Sequence, residues 1–132
     1  MEKNQKIQEI IEQYLDVFKR ILELSQTIEE GFEHVQEYMK KLEYENALVV
    51  LNDINDGFES IESFLEVIIQ ALPENEIINM KTLLKNNLNN VIYYLKQNES
   101  NKARILLDIT LLPDIKNWQN ELNRILSPYI YS

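Results

Sequence analysis

The sequence predicts an all-α fold, an antiparallel helical bundle of four long helices. Three observations predict it. Apolar residues recur in alternating steps of three and four along most of the chain, the period of a helix face rather than of a strand. Two glycines and three prolines in 132 residues are too few for the tight turns of a sandwich or barrel. The pattern breaks near residues 42–46, at Pro73 and at residues 97–101, leaving four stretches long enough to pack as two helical hairpins. The expected organisation is one domain, with hairpin one over about 3–72 and hairpin two over about 76–127.

The first stripe runs Ile7, Ile11, Tyr14, Phe18, Ile21, Ser25, Ile28, Phe32, Val35, Met39 and Leu42, and only Ser25 is polar. Its early part is broad. Ile10, Val17 and Leu24 widen it on one flank, and Leu15 and Leu22 on the other, whereas residues 28–42 add only Tyr38. A face this wide expects more than one neighbour.

Length sharpens the point. An unbroken helix over residues 3–42 would be roughly 60 Å long, against about 42 Å for a partner over residues 45–72. The overhang is met either by self-association or by a break near Ser25–Thr27, where Thr27 and Glu30 have capping-box spacing. The heptad phase survives that junction, which favours an unusually long helix, continuous or merely kinked.

The second stripe holds Tyr44, Ala47, Leu51, Ile54, Phe58, Ile61, Leu65, Ile68 and Leu72, and Pro73 closes it. Asn52-Asp53-Ile54-Asn55-Asp56-Gly57 has turn composition, but the stripe passes through it in phase. For a hairpin turning near residue 44, Gly31 and Gly57 fall at one level and permit close backbone approach, with Phe32 and Phe58 filling that layer.

The third stripe is Ile77, Met80, Leu84, Leu88, Val91 and Leu95. The fourth carries Ala103, Leu106, Leu107 and Thr110, then Ile115, Trp118, Leu122 and Ile125. Pro113 should kink or restart this last helix, with Asp114 beside the new N-terminus, and Pro128 should end it.

An internal repeat runs through these stripes. An offset of 56 places Val35 on Val91, Tyr38 on Tyr94, Glu43 on Glu99, Ala47 on Ala103 and Leu51 on Leu107. Beyond Pro113 the offset becomes 57, placing Phe58 on Ile115 and Leu65 on Leu122, as if one residue were inserted at the proline. The match reads as two similar helical hairpins packed together, whether or not one arose by duplication of the other. Shared heptad rules force part of it.

Charge and composition exclude more functions than they suggest. The net charge of −9 opposes phosphate-backbone binding, which needs clustered Lys and Arg, so no nucleic-acid partner is expected. The charge is uneven. Residues 1–72 hold 16 acidic and 6 basic residues, a net of −10, whereas residues 73–132 hold 6 and 7, a net of +1. Absence of cysteine removes disulfides, thiolate zinc sites and cysteine nucleophiles. The single histidine, His34, follows Gly31 by three residues, so the Glu-x-x-His pairs of a di-iron bundle are absent. Aligning Gly57 with the glycine of an EF-hand loop puts Ile54 on a ligand position and Ser63 where the bidentate Glu belongs. No glycine-rich phosphate loop occurs. No catalytic residue, cofactor or metal is expected.

No window reaches the roughly 18 uncharged apolar residues of a membrane span, and residues 1–6 lead into an amphipathic stretch rather than a signal core. The expectation is a soluble, cytoplasmic protein without a membrane partner. Wealth in Ile, Asn, Lys and Glu suggests AT-rich codons, as in a low-GC bacterium.

By elimination, the sequence reads as a non-enzymatic binding or adaptor protein acting through protein–protein contacts. In size, acidity and helical character it resembles bacterial export chaperones, flagellar ones included, a resemblance of composition that no motif carries. The expected contacts are Ile10, Leu15, Val17, Leu22 and Leu24, which would also form a homodimer through the N-terminal half of helix one. The alternative is an acidic inhibitor, an immunity protein or antitoxin, that covers a basic enzyme site with Glu33, Glu37, Asp53, Asp56 and Glu59. A third reading is a purely structural bundle.

Overall fold

The computed structural model describes residues 2–131, with side chains described at residues 5, 8 and 9 and from residue 11 onward. Helix α1 (Glu2–Lys40) is continuous, so Ser25–Thr27 is no break. Helix α2 (Tyr44–Ile68) follows after three residues and ends in a 3-10 turn over Ile69–Ala71. Leu72 is extended, as a residue before proline prefers. Helix α3 (Ile77–Lys96) begins hairpin two, and α4 (Ser100–Leu106), a π-helical turn (Leu107–Leu111) and α5 (Leu112–Ile130) form its second rod. Among the described residues there is no strand. The protein is an all-α four-helix bundle.

Each rod packs against two others, α1 against α2 and α5, and α3 against α2 and the α4–α5 rod. Direction follows from pairs along the seams. Phe18 meets Tyr129, Ser25 meets Gln119 and Gln36 meets Asp108, so α1 and the α4–α5 rod are antiparallel. Two neighbours explain the broad early face of α1. Val17, Leu22 and Leu24 are half-buried and pack against the core of the same chain.

Every core position of α2 from Ala47 to Ile68 has a buried counterpart in the α4–α5 rod. The offset is 56 at Ala47/Ala103 and Leu51/Leu107, then 57 at Ile54/Leu111, Phe58/Ile115, Ile61/Trp118, Leu65/Leu122 and Ile68/Ile125. In α1 and α3 the offset of 56 pairs Ile21/Ile77, Ile28/Leu84, Phe32/Leu88, Val35/Val91 and Met39/Leu95. The extra residue falls inside the π turn, where Ala103, Leu107, Leu111 and Ile115 take three successive steps of four. In an α-helix such a run drifts off the seam, and a π turn absorbs one residue and restores the phase. Pro113 follows at the start of α5, so the rod passes Pro113 without a break.

Three expectations need correction. The first turn lies at residues 41–43, slightly ahead of the 42–46 expected, because α1 closes in a left-handed cap at Leu42 (φ 61°). That moves the level of the glycines. Gly31 faces Ile54, and Gly57 faces Ile28, rather than each other. Pro128 does not end α5, which continues to Ile130. Tyr129 and Ile130 pack on the core, with the Tyr129 ring 5.3 Å from that of Phe18, which holds the last turn.

Most polar groups near the core are partnered locally or across seams, whereas Asn55 Oδ1 is buried without a hydrogen-bond partner among the described residues. Ser25 is buried, and its hydroxyl donates to the Leu22 carbonyl at 2.8 Å. Buried Trp118 donates through Nε1 to the Ile77 carbonyl at 3.2 Å, and its ring lies 5.4 Å from Phe58. Glu62 accepts from Lys81 at 2.9 Å and from Lys85 at 3.0 Å, tying α2 to α3.

Candidate functional site

The outer seam of hairpin one is shaped by its two glycines. A Cβ on Gly31 would lie 2.9 Å from Cγ1 of Ile54, and one on Gly57 would lie 3.2 Å from Cγ1 of Ile28. The two isoleucines therefore occupy space that a side chain would claim, each lying across the opposite backbone. Outside them runs a groove of about 130 Å³, floored by Ile28, Gly31, Ile54 and Gly57 and walled by Leu24, Thr27, Val50 and Asp53. It is comparable to the roughly 150 Å³ engineered cavities that admit a benzene ring. One aliphatic or aromatic side chain would fill it.

The surroundings are strongly acidic. Residues 23–34 and 49–60, which carry the groove, hold seven carboxylates and no Lys or Arg. The matching stretches of hairpin two, residues 79–90 and 105–117, hold two carboxylates and three lysines. Asn87 stands at the place of Gly31, and Asp114 at that of Gly57. The cores of the two hairpins agree, and their outer seams do not. On hairpin two the seam exposes Leu83, Ile105 and Ile109 at 56%, 58% and 71% of full exposure, whereas hairpin one exposes Val49, at the place of Ile105, but has Thr27 at that of Leu83. Ile105 and Ile109 line a cleft with Asn90, Tyr94 and Lys102.

The predicted contact residues divide between several places. Leu24 and Asp53 meet at the groove. Leu22 lies on the other flank of α1, in a recess with Lys19, Glu23, Ile130 and Tyr131. Leu15 and Val17 are half-buried, and the side chain of Ile10 lies outside those described. Glu33, Glu37, Asp53, Asp56 and Glu59 are all exposed, and Glu37 sits 3.8 Å from Lys40. At roughly 100° per residue, Glu33 and Glu37 turn toward the α5 side of α1, whereas Asp53 turns toward α1. They make a field over hairpin one rather than one cluster.

Residues 16–121 match a family described as a domain of unknown function, DUF8042. The chain belongs to this family. The DUF8042 match covers both hairpins, from within α1 to within α5, and includes the whole groove. No curated protein and no solved structure matches the chain.

Sequence reasoning on this DUF8042 chain missed Thr27, Ile28, Val50 and Ile54 as groove residues and Leu83, Ile105 and Ile109 as an exposed seam. The glycines were a legible signal for the first set. For the second, the signal was aliphatic residues off the main stripe. His34 is exposed, and among the described residues no group of three or more His, Asp or Glu is placed to hold a metal ion. No described helix is long and apolar enough to cross a membrane.

Proposed function

We propose that this chain is a non-catalytic protein-binding bundle, an adaptor or chaperone-like protein that works in the cytoplasm through the seams between its helices. The observation that supports this reading best is the apolar groove between α1 and α2, walled by Asp53 on a hairpin whose groove-bearing stretches hold seven carboxylates and no Lys or Arg. An apolar recess with a polar surround has the anatomy of a contact anchor, where desolvated packing supplies affinity and charge supplies selectivity. Affinity capture from the native organism tests the reading. A protein enriched by the wild type and lost with Thr27→Trp, which fills the groove from an exposed position, supports it. Absence of any enriched protein contradicts it.

The acidic field also favours a second reading, an inhibitor that covers a basic enzyme site. An inhibitor held by carboxylates alone keeps its partner when Thr27→Trp fills the groove and releases it steeply with salt. Self-association through the N-terminal half of α1 belongs to the adaptor reading. A concentration series in light scattering checks it, and a clean monomer at high micromolar concentration sinks it.

A further inference from the structure

We infer that the α1–α2 groove takes a cationic amphipathic helix that inserts one aliphatic or aromatic side chain between Gly31 and Gly57. The inference rests on the protein-binding reading above and names the chemistry of the partner.

Shape argues for a helix. The inner side of the α1–α2 seam already receives rods, with α5 packed on α1 and α3 packed on α2. A seam between antiparallel helices offers a third helix a groove on either side. On the outer side the two glycines carry no Cβ, so an incoming side chain reaches the floor made by Ile28 and Ile54.

Charge argues for a cationic partner. Seven carboxylates lie in the two stretches carrying the groove, without a single Lys or Arg. An acidic helix would meet Asp53 in the α2 wall and the net negative field of the hairpin around it, which disfavours it by several-fold or more. Hairpin two supplies an internal control. The same backbone frame there has Asn87 and Asp114 at the glycine places, and its matching stretches are close to neutral. Hairpin two has a cleft of its own at Ile105 and Ile109, but Lys102 lines it, so a glycine-floored groove and an acidic field occur together on hairpin one.

The test uses the full chain and a synthetic amphipathic peptide with a leucine face and lysine flanks, read by fluorescence anisotropy. A matched peptide with glutamate flanks and one with an alanine face are the comparisons. The Leu/Lys peptide is expected to bind, the other two to bind at least tenfold more weakly, and binding to weaken as salt rises. Thr27→Trp, at an exposed site, is expected to abolish binding with every carboxylate retained. The double variant Asp53→Asn, Asp56→Asn is expected to weaken it about tenfold at low salt. Equal binding of the alanine-faced peptide, or full binding by Thr27→Trp, overturns the inference, since either reduces the site to bare charge. No binding by the Leu/Lys peptide overturns it too. The protein-binding reading would still stand if the capture experiment returned a partner.

Discussion

Leu42 and Asn98 hold the same place in the two hairpins, 56 residues apart, and both have left-handed backbones, with φ of 61° and 59°. The bonds around them match as well. Glu43 donates its backbone N–H to the Tyr38 carbonyl at 2.8 Å, and Glu99 donates to Tyr94 at 2.8 Å. Leu42 donates to Met39 and Asn98 to Leu95, which completes a Schellman cap at each helix end. Asn tolerates this conformation, whereas Leu carries the cost of its Cβ against the carbonyl.

The first prediction follows from that difference. Leu42 is 68% exposed, so its side chain contributes little packing. Leu42→Gly should stabilise the protein by about 0.5–1 kcal/mol, raising the melting temperature by roughly 2–4 °C. Asn98→Leu should lower it. A thermal melt followed by circular dichroism reads both, and a destabilised Leu42→Gly would contradict the cap.

The seam between α2 and α3 depends on Glu62. Its carboxylate accepts hydrogen bonds from Lys81 and Lys85, and the Lys81 bond is the largest cause that holds Glu62 below the ordinary value of 4.5, against the opposing effect of burial. A lowered folded-state pKa contributes stability above the unfolded value, and that contribution is lost as pH falls through the folded value. Denaturant midpoints should therefore decline below about pH 4.5 more steeply in the wild type than in Glu62→Gln. At neutral pH, Glu62→Ala should cost about 1–3 kcal/mol, because the Lys81 side chain, only 12% exposed, loses its counter-ion.

The two glycines should respond differently to alanine. At Gly31 the new Cβ meets Cγ1 of buried Ile54 at 2.9 Å and its Cδ1 at 3.1 Å, so the whole side chain has to shift. At Gly57 the contacts with Ile28 begin at 3.2 Å. Alanine gains about 1 kcal/mol of helix propensity at either site. Overpacking of about 1–3 kcal/mol outweighs it at Gly31. We expect Gly31→Ala to be destabilised and Gly57→Ala to stay within about 0.5 kcal/mol of the wild type. Chemical denaturation of both variants checks the order.

The stripes made the bundle legible in advance, since a helix whose apolar residues share one face has to bury that face. The offset change at Pro113 was also legible. Its form was not, because a one-residue insertion reads equally as a kink, a restart or a π turn until the seam on either side is seen. The level of Gly31 and Gly57 was misjudged because the phase jump between Leu42 and Tyr44 does not reveal that the chain reverses through a left-handed Leu42. The broad face of residues 7–24 was visible, but whether its neighbours come from the same chain depends on how hairpin two docks. Glu62 illustrates the same limit. Nothing in the order of residues separates it from the solvated carboxylate Glu59, and only the arrival of α3 gives it Lys81 and Lys85.

The π turn yields the fourth prediction. Deleting exposed Ile109 together with Pro113→Ala should give hairpin two the spacing of hairpin one and leave a folded bundle. Deleting Asn117 should rotate Trp118, Leu122 and Ile125 by roughly 100° off the seam and abolish cooperative melting. Equal tolerance of the two deletions would contradict the assignment of Leu107–Leu111 as the place of the extra residue.

The two hairpins share a frame, and on the proposal above the outer seam of hairpin one is the contact site. A methyl NMR titration of the full chain with the Leu/Lys peptide tests it most directly, because each hairpin serves as the other's control. Shifts should concentrate at Leu24, Ile28, Val50 and Ile54. Shifts at Leu83, Ile105 and Ile109, or spread evenly over both seams, would contradict it.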